Sequence, residues 1–211
     1  MISQKQALEI MDIFAKQNTT PKSELEYHNA YTLLVAIILS AQSTDKGVNK
    51  ATRALFEVVD TPQAMLDLGL ERLKDYVKTI GLYNNKSKNI MEMSRILVEK
   101  FSGIVPDNRE DLESLPGVGR KTASVLLNVW YNQPTMAVDT HVFRIAHRLY
   151  FSEGKTPVGV ENDLLKLFPE KYLINANHWL VLFGRYICKA QKPDCEKCPI
   201  SNYCSCDDKR I

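Results

Sequence analysis

The chain has 211 residues, of which 45% are hydrophobic and 25% charged, and its formal net charge is +2. This is the composition of a soluble globular protein with room for one large domain or two small ones. The longest apolar run, residues 33–39, is far shorter than the roughly 20 residues of a membrane helix. Residues 1–9 lack the apolar core of a signal peptide. We therefore expect no membrane partner and a location in the cytoplasm or a nucleoid.

Helical periodicity dominates the sequence up to the cysteine tail, which has none, and no alternating strand pattern is present. The sequence therefore predicts an all-α fold of about ten helices. The helices are expected at 3–16, 30–39, 45–59, from 61 onward, 70–80, 85–101, 108–115, 120–131, 139–149, 157–168 and 175–187. Gly81 is expected to end the helix before it in the left-handed conformation. The apolar helix at 30–39 is expected at the centre of a core.

A break at Asn132-Gln133-Pro134 divides these helices into two groups. We expect one helical lobe at 22–132. The helix at 3–16 has no obvious partner nearby in sequence, so we expect it to pack on the C-terminal helices in a second lobe made of 1–21 and 133–211.

The run LPGVGRKTA at residues 115–123 is the first motif that indicates chemistry. Two glycines two residues apart permit a tight turn that opens directly into a helix. Helix-start amides and the helix dipole form a site for an anion such as a phosphate. The alternative is a glycine-rich connection between two packed helices.

Basic residues cluster in two stretches, residues 71–88, which include Lys86, and residues 119–150. The second stretch has a single acidic residue, Asp139, against the basic residues Arg120, Lys121, Arg144 and Arg148. Such stretches are compatible with a basic face for DNA phosphates, or with ordinary solvated helix surface.

Lys121 and Asp139 lie at the starts of two predicted helices. Lys121 falls in the first turn of a predicted helix, where the helix dipole disfavours a cation. It is therefore either a solvent-facing lysine or an amine nucleophile. Asp139 precedes the next helix, in the run VDTHVFR, where it suits an N-cap.

All five cysteines lie after residue 187, a clustering that indicates metal ligands in a cytosolic protein. Four thiolates suit structural zinc or an iron–sulfur cluster. The cysteines are Cys188, Cys195, Cys198, Cys204 and a spare, Cys206.

The hairpin run, the VDTH run 18 residues after Lys121 and the cysteine tail resemble the endonuclease III family, in the family's order. The resemblance implies a helix-hairpin-helix DNA glycosylase and abasic-site lyase of base-excision repair. It implies that Lys121 attacks the sugar of a flipped nucleotide, forms a Schiff base and cuts 3′ to the site by β-elimination. Asp139 would stabilise positive charge on the sugar or shuttle a proton. A 4Fe–4S cluster would be bound by Cys188, Cys195, Cys198 and Cys204.

The same resemblance implies a set of DNA contacts. The runs LSAQSTD and GLYNNK resemble family segments that fill the gap left by the flipped base with a glutamine and wedge a leucine into the duplex. The implied contacts are Gln42, Leu82, Pro116, Gly117, Val118, Gly119, Arg120, Lys189 and Lys192. The plainer alternatives are an exposed helix-end glutamine, a helix-capping leucine and lysines on a solvated loop. The expected partner is double-stranded damaged DNA, carrying oxidised pyrimidines, bound by a monomer in a groove between the lobes where Lys121 and Asp139 face each other.

Three alternative functions remain open. An adenine mismatch glycosylase of the same superfamily lacks the nucleophilic lysine and has an added C-terminal domain, whereas this chain has Lys121 and ends at Ile211. A non-catalytic DNA-binding module with a metal-stapled tail would form no Schiff base. A helical scaffold with zinc would show no salt-dependent DNA binding.

Overall fold

The computed structural model describes residues 2–207 and 209. In these residues the protein forms eleven α-helices and one short 3-10 helix, Ser201–Tyr203, and no β-strand, which confirms the all-α prediction. The helices, in chain order, are α1 (Gln4–Gln17), α2 (Ala30–Ser40), α3 (Asp45–Phe56), α4 (Pro62–Leu68), α5 (Leu70–Val77), α6 (Tyr83–Phe101), α7 (Arg109–Glu113), α8 (Arg120–Val129), α9 (Thr140–Arg148), α10 (Pro157–Leu167) and α11 (Glu170–Tyr186). None of them is both long and apolar enough to cross a membrane.

The chain folds as two compact units, one of which is Ser23–Tyr131. Its centre is α2, in which residues 31–39 are all buried. Because α2 has no face suited to water, it is surrounded by other helices of the unit, namely α3, α6 and α8. A capping box between Asn29 and Thr32 determines where α2 begins.

The other unit joins the chain before Ser23 to the chain after Tyr131. Here α1 packs on α11, with the rings of Phe14 and Phe183 5.0 Å apart. The Trp179 indole donates to the Asn18 carbonyl at 2.8 Å just beyond the end of α1. Fully burying a large apolar side chain contributes roughly 1.5–3 kcal/mol, so these aromatic contacts hold the two ends of the sequence together.

Two sequence expectations about helix ends are wrong. The last helix begins at Glu170, after Pro169, rather than at residue 175, because Tyr172 and Leu173 already face the core. The left-handed residue before α6 is Leu82, with φ of 59°, and not Gly81. A left-handed backbone costs a leucine about 1–2 kcal/mol, so the fold holds this exposed side chain at an energetic cost.

Candidate functional site

A tight hairpin joins α7 to α8. Gly117 has φ of +80°, and the Val118 amide donates to the Leu115 carbonyl at 3.1 Å while the Val118 side chain is buried. Gly119 is the N-cap of α8, and because it has no side chain, no side chain caps the first amides of this helix. The start of α8 is therefore a place where an approaching anion meets backbone amides and the positive end of the helix dipole.

The two hairpin glycines should respond differently to alanine. At Gly117 a Cβ would lie 3.1 Å from the Asn89 Cβ, on a backbone with positive φ. Gly117→Ala is therefore expected to lower the free energy of unfolding by about 1–2 kcal/mol. At Gly119 a Cβ would meet no atom within 4 Å, so Gly119→Ala should leave stability nearly unchanged. Chemical denaturation measures both effects.

For DNA affinity we expect a substantial effect from Gly119→Ala, the substitution that hardly changes stability. If a phosphate packs against the start of α8, the methyl group of Gly119→Ala occupies its space, and duplex affinity should fall about tenfold or more. Normal affinity in Gly119→Ala, measured by titration at fixed salt, would show that no phosphate approaches here.

Lys121 lies in the first turn of α8 with its side chain exposed, as is that of Arg120. The opposite side of the helix is anchored by Ala123, Leu126 and Leu127, all buried. Two cations at a helix start oppose the helix dipole, so helix stability alone does not account for them.

Asp139 is the N-cap of α9. Its Oδ1 accepts from the backbone amides of His141 and Val142, both at 2.8 Å. Its Oδ2 lies 3.2 Å from Nδ1 of His141. The side chain is only 16% exposed, so the two amides hold the carboxylate in one orientation with Oδ2 on the side of the imidazole.

His141 has no role assigned by sequence reasoning. It is the second residue of α9. That position does not determine whether the imidazole points into solvent or toward the N-cap residue, Asp139. In the structure its ring reaches the Asp139 carboxylate. The only sequence signal is its spacing of two residues from an aspartate N-cap.

The cysteine tail forms a partly enclosed cavity within the second unit. Apolar side chains, including those of Leu149, Phe183 and Ile200, line it. The thiols that line it are those of Cys188, Cys195, Cys198 and Cys204. This lining includes the four cysteines expected as ligands and not Cys206, so it fits a group held by four thiolates.

Electrostatics at this cavity depend on burial. Burial raises the pKa of the Cys188 thiol, and Arg148, whose Nη1 lies 3.5 Å from its sulfur, offsets part of that rise. Burial likewise raises the pKa of Cys198. Among the described His, Cys, Asp and Glu side chains no three are spaced to hold a single metal ion. The support for a cluster site is therefore the cavity that the four cysteines share.

Helix α9 holds the start of the cysteine loop through two arginines. Arg144 donates to the Gly184 carbonyl at 2.7 Å and to the Cys188 carbonyl at 3.2 Å. Arg148 donates to the carbonyls of Lys189 at 2.7 Å and Ala190 at 3.2 Å. Backbone carbonyls thus bind these two guanidinium groups, an arrangement that neither a basic face for phosphates nor a solvated helix surface had led us to expect.

Removing the Arg148 contacts should loosen the cluster loop. Arg148→Leu deletes the hydrogen bonds to the Lys189 and Ala190 carbonyls and the contact with the Cys188 sulfur. Hydrogen bonds from a charged donor are each worth roughly 1.5–3 kcal/mol, so we expect faster loss of iron during dialysis against a chelator. Iron per chain is the measurement. Lys155→Met, which removes an exposed cation of the same unit, is the matched control. Equal iron retention in both variants would contradict the bracing role.

Four of the five remaining expected DNA contacts have exposed side chains. Gln42 and Leu82 are exposed and share an unusual backbone, with φ of 56° and 59°. Lys189 and Lys192 are exposed on the cysteine loop. Pro116 is half-buried at the hairpin. Every one of these side chains except that of the proline is accessible to a macromolecular partner.

Comparisons with known proteins agree along the chain. A model of the HhH-GPD superfamily of base excision DNA repair proteins matches residues 35–170, and one of the iron–sulfur binding domain of endonuclease III matches residues 188–204. Endonuclease III of Rickettsia conorii is 56% identical over 195 residues, or 92% of this chain and 93% of that protein. Endonuclease III of Escherichia coli K12 is 50% identical over 202 residues, or 96% of each.

Solved structures give the same result. A trapped endonuclease III–DNA covalent intermediate, an estranged-adenine complex, superposes with a TM-score of 0.91 at 41% identity and covers 97% of both chains. A thermostable thymine-DNA glycosylase superposes with a TM-score of 0.83 at 24% identity, covering 95% of this chain and 96% of that one, and shares the fold.

Proposed function

Because this chain belongs to the endonuclease III family, we propose that Lys121 is the amine that attacks the damaged nucleotide and Asp139 the carboxylate that assists it. The enzyme is a DNA glycosylase and abasic-site lyase of base-excision repair. The observation that carries the proposed roles is a single exposed primary amine in the first turn of α8, directly behind a hairpin suited to a phosphate.

The proposed reaction begins with a nucleotide flipped out of the duplex. The Lys121 nitrogen forms a bond to C1′ of the sugar, and the glycosidic bond breaks with its electron pair leaving on the base. Opening of the sugar ring gives a Schiff base between Lys121 and C1′. Loss of a proton from C2′ then expels the 3′ phosphate, and water hydrolyses the Schiff base. The attacking amine needs its lone pair, so its proton leaves before the bond to C1′ forms.

Asp139 supplies a fixed negative charge for this sequence. Positive charge develops on the sugar as the base departs, and an oriented carboxylate stabilises it. The two amides that bind Oδ1 keep the group oriented without needing its second oxygen. Oδ2 and the adjacent His141 ring form a pair through which a proton can be passed.

The chain carries an iron–sulfur cluster, which the match to the family's cluster-binding domain confirms. We propose Cys188, Cys195, Cys198 and Cys204 as its ligands, since their thiols line one cavity. Base removal and β-elimination transfer no net electrons, so the reaction requires no redox chemistry from the cluster. When bound, the cluster would cross-link the cysteine loop. The braced loop presents Lys189 and Lys192 for phosphates.

The finer details of the substrate are also proposals. We propose double-stranded DNA with an oxidised pyrimidine as substrate, and a monomer as the active species, since one chain carries both Lys121 and Asp139. A chromosomal substrate implies a cytoplasmic, nucleoid-associated enzyme. Incubation with a thymine-glycol duplex and borohydride, followed by mass mapping of the adduct, tests the assignment. An adduct on any lysine other than Lys121 would overturn it.

A further inference from the structure

Lys86 is a buried cation in the first turn of α6. The sequence counts it with a basic surface stretch, but that is wrong, because its side chain turns inward and the residue is only 6% exposed. Its ammonium donates to the carbonyls of Leu39 at 2.9 Å and Ala41 at 2.6 Å, and to the Ser43 hydroxyl at 3.3 Å. A lysine has three N–H donors, and all three have acceptors here.

These three acceptors lie on both sides of Gln42. The Leu39 carbonyl belongs to the last turn of α2, where carbonyls lack partners within the helix and a cation is favourable. Ala41 and Ser43 are the immediate neighbours of Gln42, which is exposed with φ of 56°. The Lys86 ammonium therefore holds the chain before and after the glutamine, together with the bond from the Ser43 amide to the Ser40 carbonyl at 3.0 Å.

The backbone of the same lysine is joined to Leu82. The Lys86 amide donates to the Leu82 carbonyl at 3.1 Å. Leu82 has φ of 59°, and its side chain is among the most exposed apolar groups of the described chain, at 61%. Gln42 and Leu82 thus each have a left-handed backbone and an exposed side chain. Lys86 is hydrogen-bonded to the segments of both. Backbone strain of this kind persists where the surroundings impose it, often at ligand-binding segments.

We propose that Lys86 is a positioning residue that holds Gln42 and Leu82 in a fixed relation, so that both enter a damaged duplex together. The inference rests on the DNA-inserting roles proposed for Gln42 and Leu82. Packing alone does not require a lysine here, because burying an ammonium is costly unless it is fully paired. The ammonium makes three hydrogen bonds to the segment around Gln42, and the amide makes one to Leu82. These bonds order both segments before DNA binds, which lowers the conformational entropy lost on binding.

Lys86→Met is the test, because methionine fills similar space without a charge or donors. Base release from a thymine-glycol duplex under single-turnover conditions should slow about tenfold or more. Cleavage of a ready-made abasic site in single-stranded DNA, which requires no opening of a duplex, should stay within about twofold. Equal losses on both substrates, or no loss on the duplex, would overturn the positioning role.

A double-mutant cycle separates this inference from the function on which it rests. In a Gln42→Ala/Leu82→Ala background, Lys86→Met should cause no further loss, because a residue that acts through others is not additive with them. A further tenfold loss in that background would overturn positioning by Lys86 alone. A normal duplex rate in Gln42→Ala/Leu82→Ala itself would instead remove the insertion roles, and the inference with them.

Ser43→Ala gives a milder version if Lys86→Met fails to fold. It removes one of the three acceptors and leaves the buried cation with two. We expect about threefold slower base release from the duplex and unchanged cleavage of single-stranded abasic DNA. Unchanged rates on both substrates would overturn the proposal.

Discussion

Lys121→Gln is expected to abolish covalent trapping of the enzyme on abasic DNA by borohydride. Glutamine ends in an amide whose nitrogen does not form a Schiff base, so the rate of strand cleavage should fall about a thousandfold or more, the scale on which covalent nucleophiles act. Because Lys121 is exposed, stability should hardly change. A denaturing gel of borohydride-treated mixtures measures the trapped fraction.

Arg120→Gln is the matched control for this variant. It removes the neighbouring exposed cation of the same helix turn and leaves the amine in place. Trapping should persist, while the slope of log affinity against log salt should become shallower by about 0.9 if Arg120 neutralises one phosphate. Normal trapping by Lys121→Gln would end the nucleophile assignment, whatever the control shows.

Asp139→Asn is expected to slow base release from a damaged duplex about a hundredfold or more, the scale of a positioned acid–base or charge-stabilising group. The reason lies in how the residue is held. Asparagine keeps an oxygen for the His141 and Val142 amides that Oδ1 now binds and is an equally good N-cap. The substitution therefore keeps the cap but removes both the negative charge and the oxygen that faces the His141 ring. Single-turnover kinetics measure the loss, and thermal unfolding should show almost no change.

Asp139→Ala separates the two roles of the residue. It loses the cap as well as the charge, so it should add a destabilisation of about 1 kcal/mol to a similar loss of base release. If Asp139→Asn released bases at the wild-type rate, the carboxylate would be a structural cap of α9 and the charge would have no part in catalysis.

Most helix starts could be read from the sequence because they depend on neighbours. Ser3, Thr61 and Thr156 each accept a backbone amide three residues later, as N-caps do. The start of α11 was not predictable in this way, because Pro169 makes no side-chain cap and the first turn is held by burial against the core. The left-handed conformation of Leu82 was not predictable either, since sequence rules assign that conformation to Gly81.

The sequence alone determined the residues whose chemistry depends on spacing: the Gly117 and Gly119 turn ahead of Lys121, the Asp139 cap and the four cysteines. These are short-range relations, so a few adjacent letters specify them. Only the tertiary structure decided where the long cationic side chains go. Lys86 bonds to residues 43 to 47 positions away and Arg148 to residues 41 and 42 positions away. A flexible charged side chain on a helix has the same sequence signature whether it faces water or a buried carbonyl, and burial and hydrogen-bond partners exist only once distant segments have packed together.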